Sequence, residues 1–286
     1  MESLSLTASL YLQWESISRK VIQFNKLVCH LKLISLISGY KMGKTVLLVL
    51  VTFSATTPVV CKVPTLDAVM VESIAEYAAS YNGIPVKAKK TVTVDDNNIY
   101  EDILDASSIF GNLTQLSRYE FDDSGKLIPL YSYDKRSFFG AIRQEEQEFL
   151  WNENKVVHRK KGAVSEIVLP SHAFDSITHR LQLQRDLIED LIVLEYVVIN
   201  RGKKHLYNYR KVGEETIETP LGSIETIVLT RGRDSKSRQT TLWLAKNWTY
   251  FLVKLEQIEN NEKYSMVIQS AVIDGMQMLA KNLDEK

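Results

Sequence analysis

Cysteine is the scarcest residue of this 286-residue chain, which contains two, at positions 29 and 61. Both precede residue 62, where we expect the mature protein to begin. The rest of the chain therefore has no thiol with which to form a disulfide, even in an oxidising compartment. Its stability has to come from a packed core, and 45% hydrophobic with 24% charged residues is an ordinary globular composition.

The chain also lacks an excess of either charge, since it has 35 basic and 35 acidic side chains. The first 61 residues hold six Lys and Arg against two Glu, which leaves 29 basic and 33 acidic residues beyond them. A domain with a net charge of about −4 lacks the concentrated basic surface that displaces counterions from nucleic acid. We therefore expect no nucleic-acid partner.

Long hydrophobic runs are lacking as well. The run from Val46 to Phe53 is about eight residues long, well under the ~20 that a membrane-spanning helix needs. Met42 and Lys44 precede this run, and small and turn-forming residues up to Pro58 follow it. A basic start, a short apolar centre and such a tail are typical of a secretory signal.

We therefore predict that translation starts at Met42, that residues 1–41 are a leader assigned in error, and that residues 42–61 are a signal peptide. Cleavage after Cys61 would leave residues 62–286 as a single exported β-domain, which we expect in the periplasm. Three alternatives stay open: lipid attachment at Cys61, an uncleaved anchor, and a buried core strand at 46–51.

Alternation of apolar and polar residues predicts β-structure through most of the remaining chain. Ala75, Tyr77 and Ala79 share one face of the first strand, and Asn82–Gly83 after it is a strong signal for a tight hairpin. Helical spacing occurs once, where Phe174 begins a segment that continues to position 188. The pattern otherwise predicts further strands at 84–94, 99–109, 116–121, 131–138, 146–151, 155–159, 164–169, 192–199, 204–212, 217–218, 224–231, 238–244, 250–258 and 264–273.

About a dozen consecutive strands are too many for one flat sheet. The sequence therefore predicts a mainly-β fold: an antiparallel curled sheet, either a half-barrel or a barrel, with one principal helix. Such a sheet has a concave face on which a ligand can bind.

Several phrases in the chain occur together in one family. They run from Tyr81 to Val86, from Gly125 to Tyr131, from Tyr207 to Gly222 and from Thr241 to Ala245. With them the chain resembles the bacterial exported domain of unknown function numbered 3108, over roughly residues 70–275. The signature positions, all expected to be structural, are Tyr81, Gly83, Pro85, Gly125, Pro129, Tyr131, Gly213, Glu214, Thr219, Pro220, Gly222 and Trp243. The resemblance implies an exported β-protein similar in plan to the curved-sheet lipoprotein carriers, and it supplies no catalytic residue.

Catalytic and metal-binding patterns are also lacking. The histidines at 158, 172, 179 and 205 do not have the spacing of a zinc site with a third ligand. Ser171, His172 and Asp175 are of the types that form a nucleophilic relay, but they lie too close on one turn. We expect no catalytic residues, no metal site, no cofactor and no enzymatic activity.

Two clusters of charged residues lie next to predicted turns, and we expect both at the protein surface. Glu214, Glu215 and Glu218 precede the turn at Pro220, which predicts a solvated face. Arg231, Arg233, Lys236 and Arg238 are expected at a hairpin tip, either as an edge guard or as a peripheral contact with anionic lipid.

The sequence thus favours an exported envelope protein that binds a hydrophobic ligand, such as a lipid acyl chain, in its curved sheet. The alternative is a structural or protein-interaction scaffold of the cell envelope. The oligomeric state does not follow from the sequence.

Overall fold

The computed structural model describes residues 71–232 and 238–279, and most of these residues form antiparallel strands. The strands are Ser73–Tyr81 (β1), Ile84–Val94 (β2), Tyr100–Ser108 (β3), Gly111–Phe121 (β4), Leu127–Phe138 (β5), Ala141–Leu150 (β6), Lys155–Lys160 (β7), Ala163–Val168 (β8), Leu194–Asn200 (β9), Lys203–Thr219 (β10), Gly222–Gly232 (β11), Arg238–Ala245 (β12), Phe251–Glu259 (β13), Glu262–Ile273 (β14) and Met276–Gln277 (β15). One α-helix, Thr178–Ile188 (α1), and one 3-10 turn, Trp151–Glu153, complete the regular structure of these residues. The predicted leader at 1–41 and signal peptide at 42–61 lie outside the described residues.

All these strands belong to one sheet, in the order β8-β7-β6-β5-β4-β3-β2-β1-β14-β13-β12-β11-β10-β9, with β15 beside β14. Pairing of β1 with β14 joins a meander of the first eight strands to a meander of strands nine to fourteen. Within the described residues, β8 and β9 are the two edges and do not pair with each other. The predicted mainly-β fold, a curled antiparallel sheet with one principal helix, is confirmed, and the sheet does not close into a barrel.

The strands form where the alternation predicts them. On β1, Ala75 and Tyr77 are 1% and 2% exposed, whereas Glu76 and Ala78 face solvent. The turn that follows has φ of 48° at Asn82 and 82° at Gly83. Two consecutive residues with positive φ match the twist of the flanking strands, which is why this dipeptide is favoured in hairpins.

Several strands are longer than the pattern predicts, among them β4, β5 and β6, which begin at Gly111, Leu127 and Ala141 rather than at 116, 131 and 146. The largest difference is at β10. The predicted strands at 204–212 and 217–218 are a single strand, β10, in which the pairing with β11 shifts between Lys211 and Gly213. A bulge inserts an unpaired residue and bends the strand without ending it. The alternation of side chains is interrupted there, so the pattern resembles two short strands.

The main core lies between α1 and the concave face of β1 and β9–β14. Its most deeply buried members come from the helix and from five strands: Leu183, Val198, Leu229, Leu242, Val253 and Ile268. Burial of such side chains contributes roughly 1.5–3 kcal/mol each. A domain without disulfides depends on this layer for most of its stability.

The inner face of β5–β7 carries a second, smaller apolar cluster, formed by Phe149, Val156, Leu169, Ala173 and Ile199. Beside this cluster the inner face is polar, and the turn between β9 and β10 packs against that polar part. Gln147, which is 4% exposed, accepts the N–H of Gly202 at 2.8 Å and donates to the carbonyl of Ile199 at 3.3 Å. Arg201 lies 3.4 Å from the Asp134 carboxylate. We call residues 200–202 the closing turn, since their contacts hold one end of the curled sheet against the inner face of β5 and β6.

Ion pairs surround the closing turn on the inner face of β5–β7. One carboxylate oxygen of Glu145 lies 2.9 Å from His158 Nε2 and 3.2 Å from Lys160 Nζ. Arg136 pairs with Asp134 at 2.8 Å. A hydrophobic ligand would therefore find apolar walls on the half of the sheet that faces α1.

Candidate ligand site beneath the helix

The helix that covers the apolar half begins at a buried acidic cap. Asp175 Oδ1 accepts the N–H groups of Ile177 at 2.6 Å and Thr178 at 2.9 Å, and Thr178 Oγ1 accepts the N–H of Asp175 at 2.9 Å. The hydroxyl of Ser117 on β4 donates to the second carboxylate oxygen. Burial raises the pKa of Asp175 despite these hydrogen bonds. This reciprocal cap fixes the start of α1 to the sheet.

A cavity of about 80 Å³ lies between α1 and the sheet. Its apolar lining comes from the helix and from β3, β12, β13 and β14: Ile177, Leu181, Leu104, Leu242, Leu244, Leu252, Met266 and Ile273. Pockets for small molecules usually measure roughly 300–1,000 Å³. A long-chain ligand therefore needs α1 or a neighbouring segment to move.

One wall of the cavity is charged. Lys90 on β2 and Asp102 on β3 form an ion pair of 2.7 Å, and Asp102 is 3% exposed. The second oxygen of Asp102, Oδ1, has no hydrogen-bond partner among the described residues. A buried carboxylate oxygen without a donor is costly, about 1–3 kcal/mol or more. A ligand hydroxyl or a water molecule would remove this cost.

Arg180 brings a second positive charge to the cavity. It is half-buried on the inner face of α1, and none of the described residues accepts a hydrogen bond from its guanidinium or forms an ion pair with it. Burial raises the pKa of Tyr77 and of Tyr264, and the charge of Arg180 opposes both shifts. Arg180 also contributes, after burial, to a pKa of His179 well below its usual value. Lys90, Asp102 and Arg180 together leave the cavity with one uncompensated positive charge.

The segment between β12 and β13 forms another wall and is strained. Thr249 and Tyr250 have φ of 48° and 58°, a left-handed conformation that β-branched and bulky residues rarely adopt. Each costs of order 1–3 kcal/mol, and such strain is concentrated at functional sites. The side-chain amide of Gln184 on α1 donates to the carbonyl of Tyr250 at 3.0 Å, so the helix and this segment are joined.

The signature positions do not line this cavity. Seven of them lie at or next to turns: Gly83, Gly125 and Gly222, which all have positive φ, and Tyr81, Pro85, Thr219 and Pro220. Gly213 lies at the bulge of β10. The other four lie within strands: Pro129, Tyr131, Glu214 and Trp243. The Pro129 carbonyl accepts from Trp151 at 2.7 Å, and Trp243 donates to Glu215 at 2.6 Å. The first contact joins the 3-10 turn to β5, and the second joins β12 to β10 across β11.

The two charged clusters have different outcomes. Glu214 is exposed, as the prediction of a solvated face requires. Its ion pairs with Lys246 and Lys211 lower the pKa of its carboxyl group to about 2. Arg231 was predicted at the hairpin tip with Arg233, Lys236 and Arg238. It is instead 7% exposed, 4.0 Å above the Tyr207 ring, and cannot reach a lipid surface. The side chains of 233–238 lie outside the described residues.

The histidines are also separate from one another. His172 is exposed, His205 stacks on Tyr207, and His158 belongs to the polar contacts near the closing turn. His179 is buried, with its ring nitrogens 3.0 Å from the Asp175 carbonyl and 3.0 Å from the Tyr209 hydroxyl. No group of three or more potential metal ligands is found in residues 71–232 and 238–279.

Sequence reasoning missed all three charged residues of the site, Lys90, Asp102 and Arg180, and only Arg180 had a signal in its local pattern. Its position shares the inner face of α1 with Ile177, Leu181 and Gln184, because residues three and four apart are neighbours on a helix. A charged residue between the apolar Ile177 and Leu181 on that stripe was the available signal.

Comparison with known proteins gives a family match. A family model described as "Protein of unknown function (DUF3108)" matches residues 76–268. None of the curated proteins compared with this chain matches it. Across the described ranges, no helix has the length and hydropathy needed to cross a bilayer.

Two solved structures are similar to the chain at low identity. A β-barrel-like protein of domain of unknown function DUF1849 from Brucella abortus has 8% identity and a TM-score of 0.48, over 71% of this chain and 98% of that one. The lipoprotein LppX of Mycobacterium tuberculosis has 14% identity and a TM-score of 0.24, over 77% of this chain and 93% of that one. With both TM-scores below 0.5, functional inference rests on this chain's own side chains.

Proposed function

We propose that this chain, which belongs to the DUF3108 family, is an exported, non-catalytic binding protein that holds an acidic amphiphile between α1 and the sheet. The observation that carries the proposal is Arg180, a half-buried cation at an apolar cavity that has no partner among residues 71–232 and 238–279. Export to the periplasm is supported by the signal-like pattern at 42–61.

The charges define the head group of the ligand. A carboxylate or phosphate at Arg180 would supply the missing acceptor and neutralise the extra positive charge of the site. Hydrogen bonds between charged partners contribute roughly 1.5–3 kcal/mol. A hydroxyl on the same head group could donate to the unpartnered oxygen of Asp102.

The apolar lining defines the tail. Leu242, Leu244 and Met266 line the same cavity as Lys90, Asp102 and Arg180. Each ~100 Å² of such surface covered by a hydrocarbon chain stabilises the complex by roughly 2.5 kcal/mol before the entropy of binding is subtracted.

Room for the tail comes from movement of α1 and the strained segment. An 80 Å³ cavity holds only a few water molecules. Displacing Thr249 and Tyr250 breaks the hydrogen bonds that their carbonyl groups accept from the Gln184 side-chain amide. The same movement releases the backbone strain of the two residues. We expect binding to relax this segment to ordinary negative φ.

The test is a competition titration against a fluorescent fatty acid, with decanoic acid and decanol as competitors. Wild-type protein should prefer the acid by about 10-fold or more, the value of one charge-assisted hydrogen bond. Arg180→Gln should lose this preference. Arg118→Gln, which removes an arginine 54% exposed and paired with Glu101, is the matched control and should keep it.

Two results would contradict the proposal. One is the absence of saturable binding by a folded wild-type domain. The other is an acid preference that survives Arg180→Gln, which would place the head group elsewhere.

Docking of another envelope protein is the second candidate function, and the edge strand β8 favours it. Val164 and Val168 on this strand are 62% and 80% exposed, and the outer edge of β8 is unpaired within the described residues. Exposed edges are templates for strand addition. Val168→Lys should abolish such a complex and leave ligand titrations unchanged.

A further inference from the structure

Two neighbouring hairpin turns expose a group of large apolar side chains that the ligand site does not use. The β3–β4 turn holds Ile109 and Phe110, and the β5–β6 turn holds Phe139 between Phe138 and Ile142. Ile109, Phe139, Ile142 and Phe138 are 86%, 72%, 58% and 50% exposed. We call these five residues the aromatic tip.

The aromatic tip is a built structure. The N–H of Phe139 donates to the carbonyl of Phe110 at 2.9 Å, so one turn is hydrogen-bonded to the other. The ring of Phe139 lies 5.1 Å from that of Phe110 and 4.6 Å from that of Phe138. A Cβ at Gly111 would come within 2.0 Å of the Ser137 carbonyl oxygen, so the close approach of β4 and β5 here requires glycine.

Phe139 also occupies an unfavourable backbone conformation. Its φ is 46°, in the left-handed region that asparagine and glycine tolerate and that a bulky aromatic residue rarely adopts. Asn82 has φ of 48° at the equivalent position of the β1–β2 turn. Phenylalanine at this position lowers the stability of the fold, because its backbone is strained, and leaves 72% of its surface exposed. A residue that is unfavourable in both respects indicates selection for a contact.

The charges around the aromatic tip are of one sign. Residues 135–143 contain Lys135, Arg136 and Arg143 and no acidic residue, and residues 106–116 contain no charged residue. Lys135 and Arg143 are exposed, and Arg143 lies directly opposite Arg136 across the β5–β6 pair. Apolar side chains at a loop tip with cations behind them fit the boundary between acyl chains and anionic head groups.

We propose that the aromatic tip is a membrane-contact site, which inserts between the head groups of an anionic phospholipid bilayer while Lys135 and Arg143 bind lipid phosphates. This site does not depend on the amphiphile cavity, because the residues of the tip do not line it.

The test is co-sedimentation of the purified domain with vesicles of phosphatidylglycerol and phosphatidylcholine, and with vesicles of phosphatidylcholine alone. We expect the partition coefficient to be at least 10-fold higher with the anionic vesicles and to fall with added salt. Phe139→Asn should lower it at least 10-fold while the thermal midpoint stays equal or rises, because asparagine relieves the strain at φ 46°. Arg143→Gln should reduce the preference for anionic vesicles.

Ile192→Ser is the matched control, since Ile192 is 95% exposed and lies outside the tip. Its partition coefficient should equal that of the wild type. Equal partitioning of wild type and Phe139→Asn would overturn the proposal, as would an absence of vesicle binding. Self-association lost in Phe139→Asn, without vesicle binding, would assign the tip to a contact between copies of this chain.

Discussion

Substitution of Gly202 by alanine tests whether the closing turn holds the curl of the sheet. Gly202 has φ of 70°, and a Cβ there would lie 2.5, 2.8 and 2.9 Å from three atoms of the His158 ring. The ring is 8% exposed and is held by Glu145 at 2.9 Å and Ser165 at 3.3 Å, so it cannot move without breaking these contacts.

Gly162→Ala is the matched control. Gly162 has φ of 80° in the neighbouring hairpin turn, and its Cβ would meet nothing within 4 Å. Both substitutions incur the cost of alanine in the left-handed region, about 1–2 kcal/mol. Gly202→Ala adds the overpacking of His158, roughly 1–3 kcal/mol, and weakens the hydrogen bond to Gln147, about 1 kcal/mol.

We therefore expect Gly202→Ala to lower the free energy of unfolding by about 2 kcal/mol more than Gly162→Ala, a factor of about 30 in the unfolding constant. For a domain of this size the thermal midpoint should differ by about 4–8 °C. Urea unfolding followed by tryptophan fluorescence measures the difference. Equal midpoints for the two variants would show that the closing turn does not press on His158.

Three further predictions concern other parts of the chain. Gly83→Val should destabilise the domain by about 1 kcal/mol or more and Lys87→Ala by much less, since only the first forces a β-branched residue to positive φ; equal urea midpoints would contradict this. Burial lowers the pKa of His179, so the stability that its neutral form provides is present above the ordinary pKa of 6.5 and is lost as pH falls. The free energy of unfolding should therefore drop by about 1 kcal/mol from pH 7 to 5.5. The His179→Gln variant should lose this dependence on pH, and the control His172→Gln should keep it. N-terminal sequencing of the exported form should find Lys62 or a residue within a few positions of it, and a mature protein that retains residues 1–41 would end the signal-peptide interpretation.

The fold was predictable where a local rule decides the structure. Side chains alternate on β1 between Tyr77 in the core and Glu76 in solvent, and Asn82–Gly83 forms the expected turn. The helix was predictable from its spacing, although it begins at Thr178 rather than at Phe174. Each of these depends on residues within a few positions of one another.

The polar part of the inner face of β5–β7 was not predictable, because it depends on contacts between residues distant in sequence. Alternation places Gln147 on the inner face, where an apolar side chain is expected. It is accommodated because the closing turn, 55 residues later, supplies a donor in Gly202. No local pattern contains that pairing, and the bulge at Gly213 likewise hid the continuity of β10.

The candidate site was predictable only as a concave apolar face. Its chemistry depends on Lys90 and Asp102, which pair across the β2–β3 hairpin, and on Arg180, which comes to the same cavity only when α1 packs on the sheet. Residue types alone made Arg231 the better candidate for an anion, yet its stacking on Tyr207 removes it from solvent.

Native mass spectrometry of the mature domain, purified from the periplasm without detergent, tests the central claim most directly. The account predicts a bound acidic amphiphile at one molecule per chain in the wild type and in Arg118→Gln, and its loss in Arg180→Gln. A folded wild-type domain with no bound amphiphile, or equal occupancy in wild type and Arg180→Gln, would contradict it.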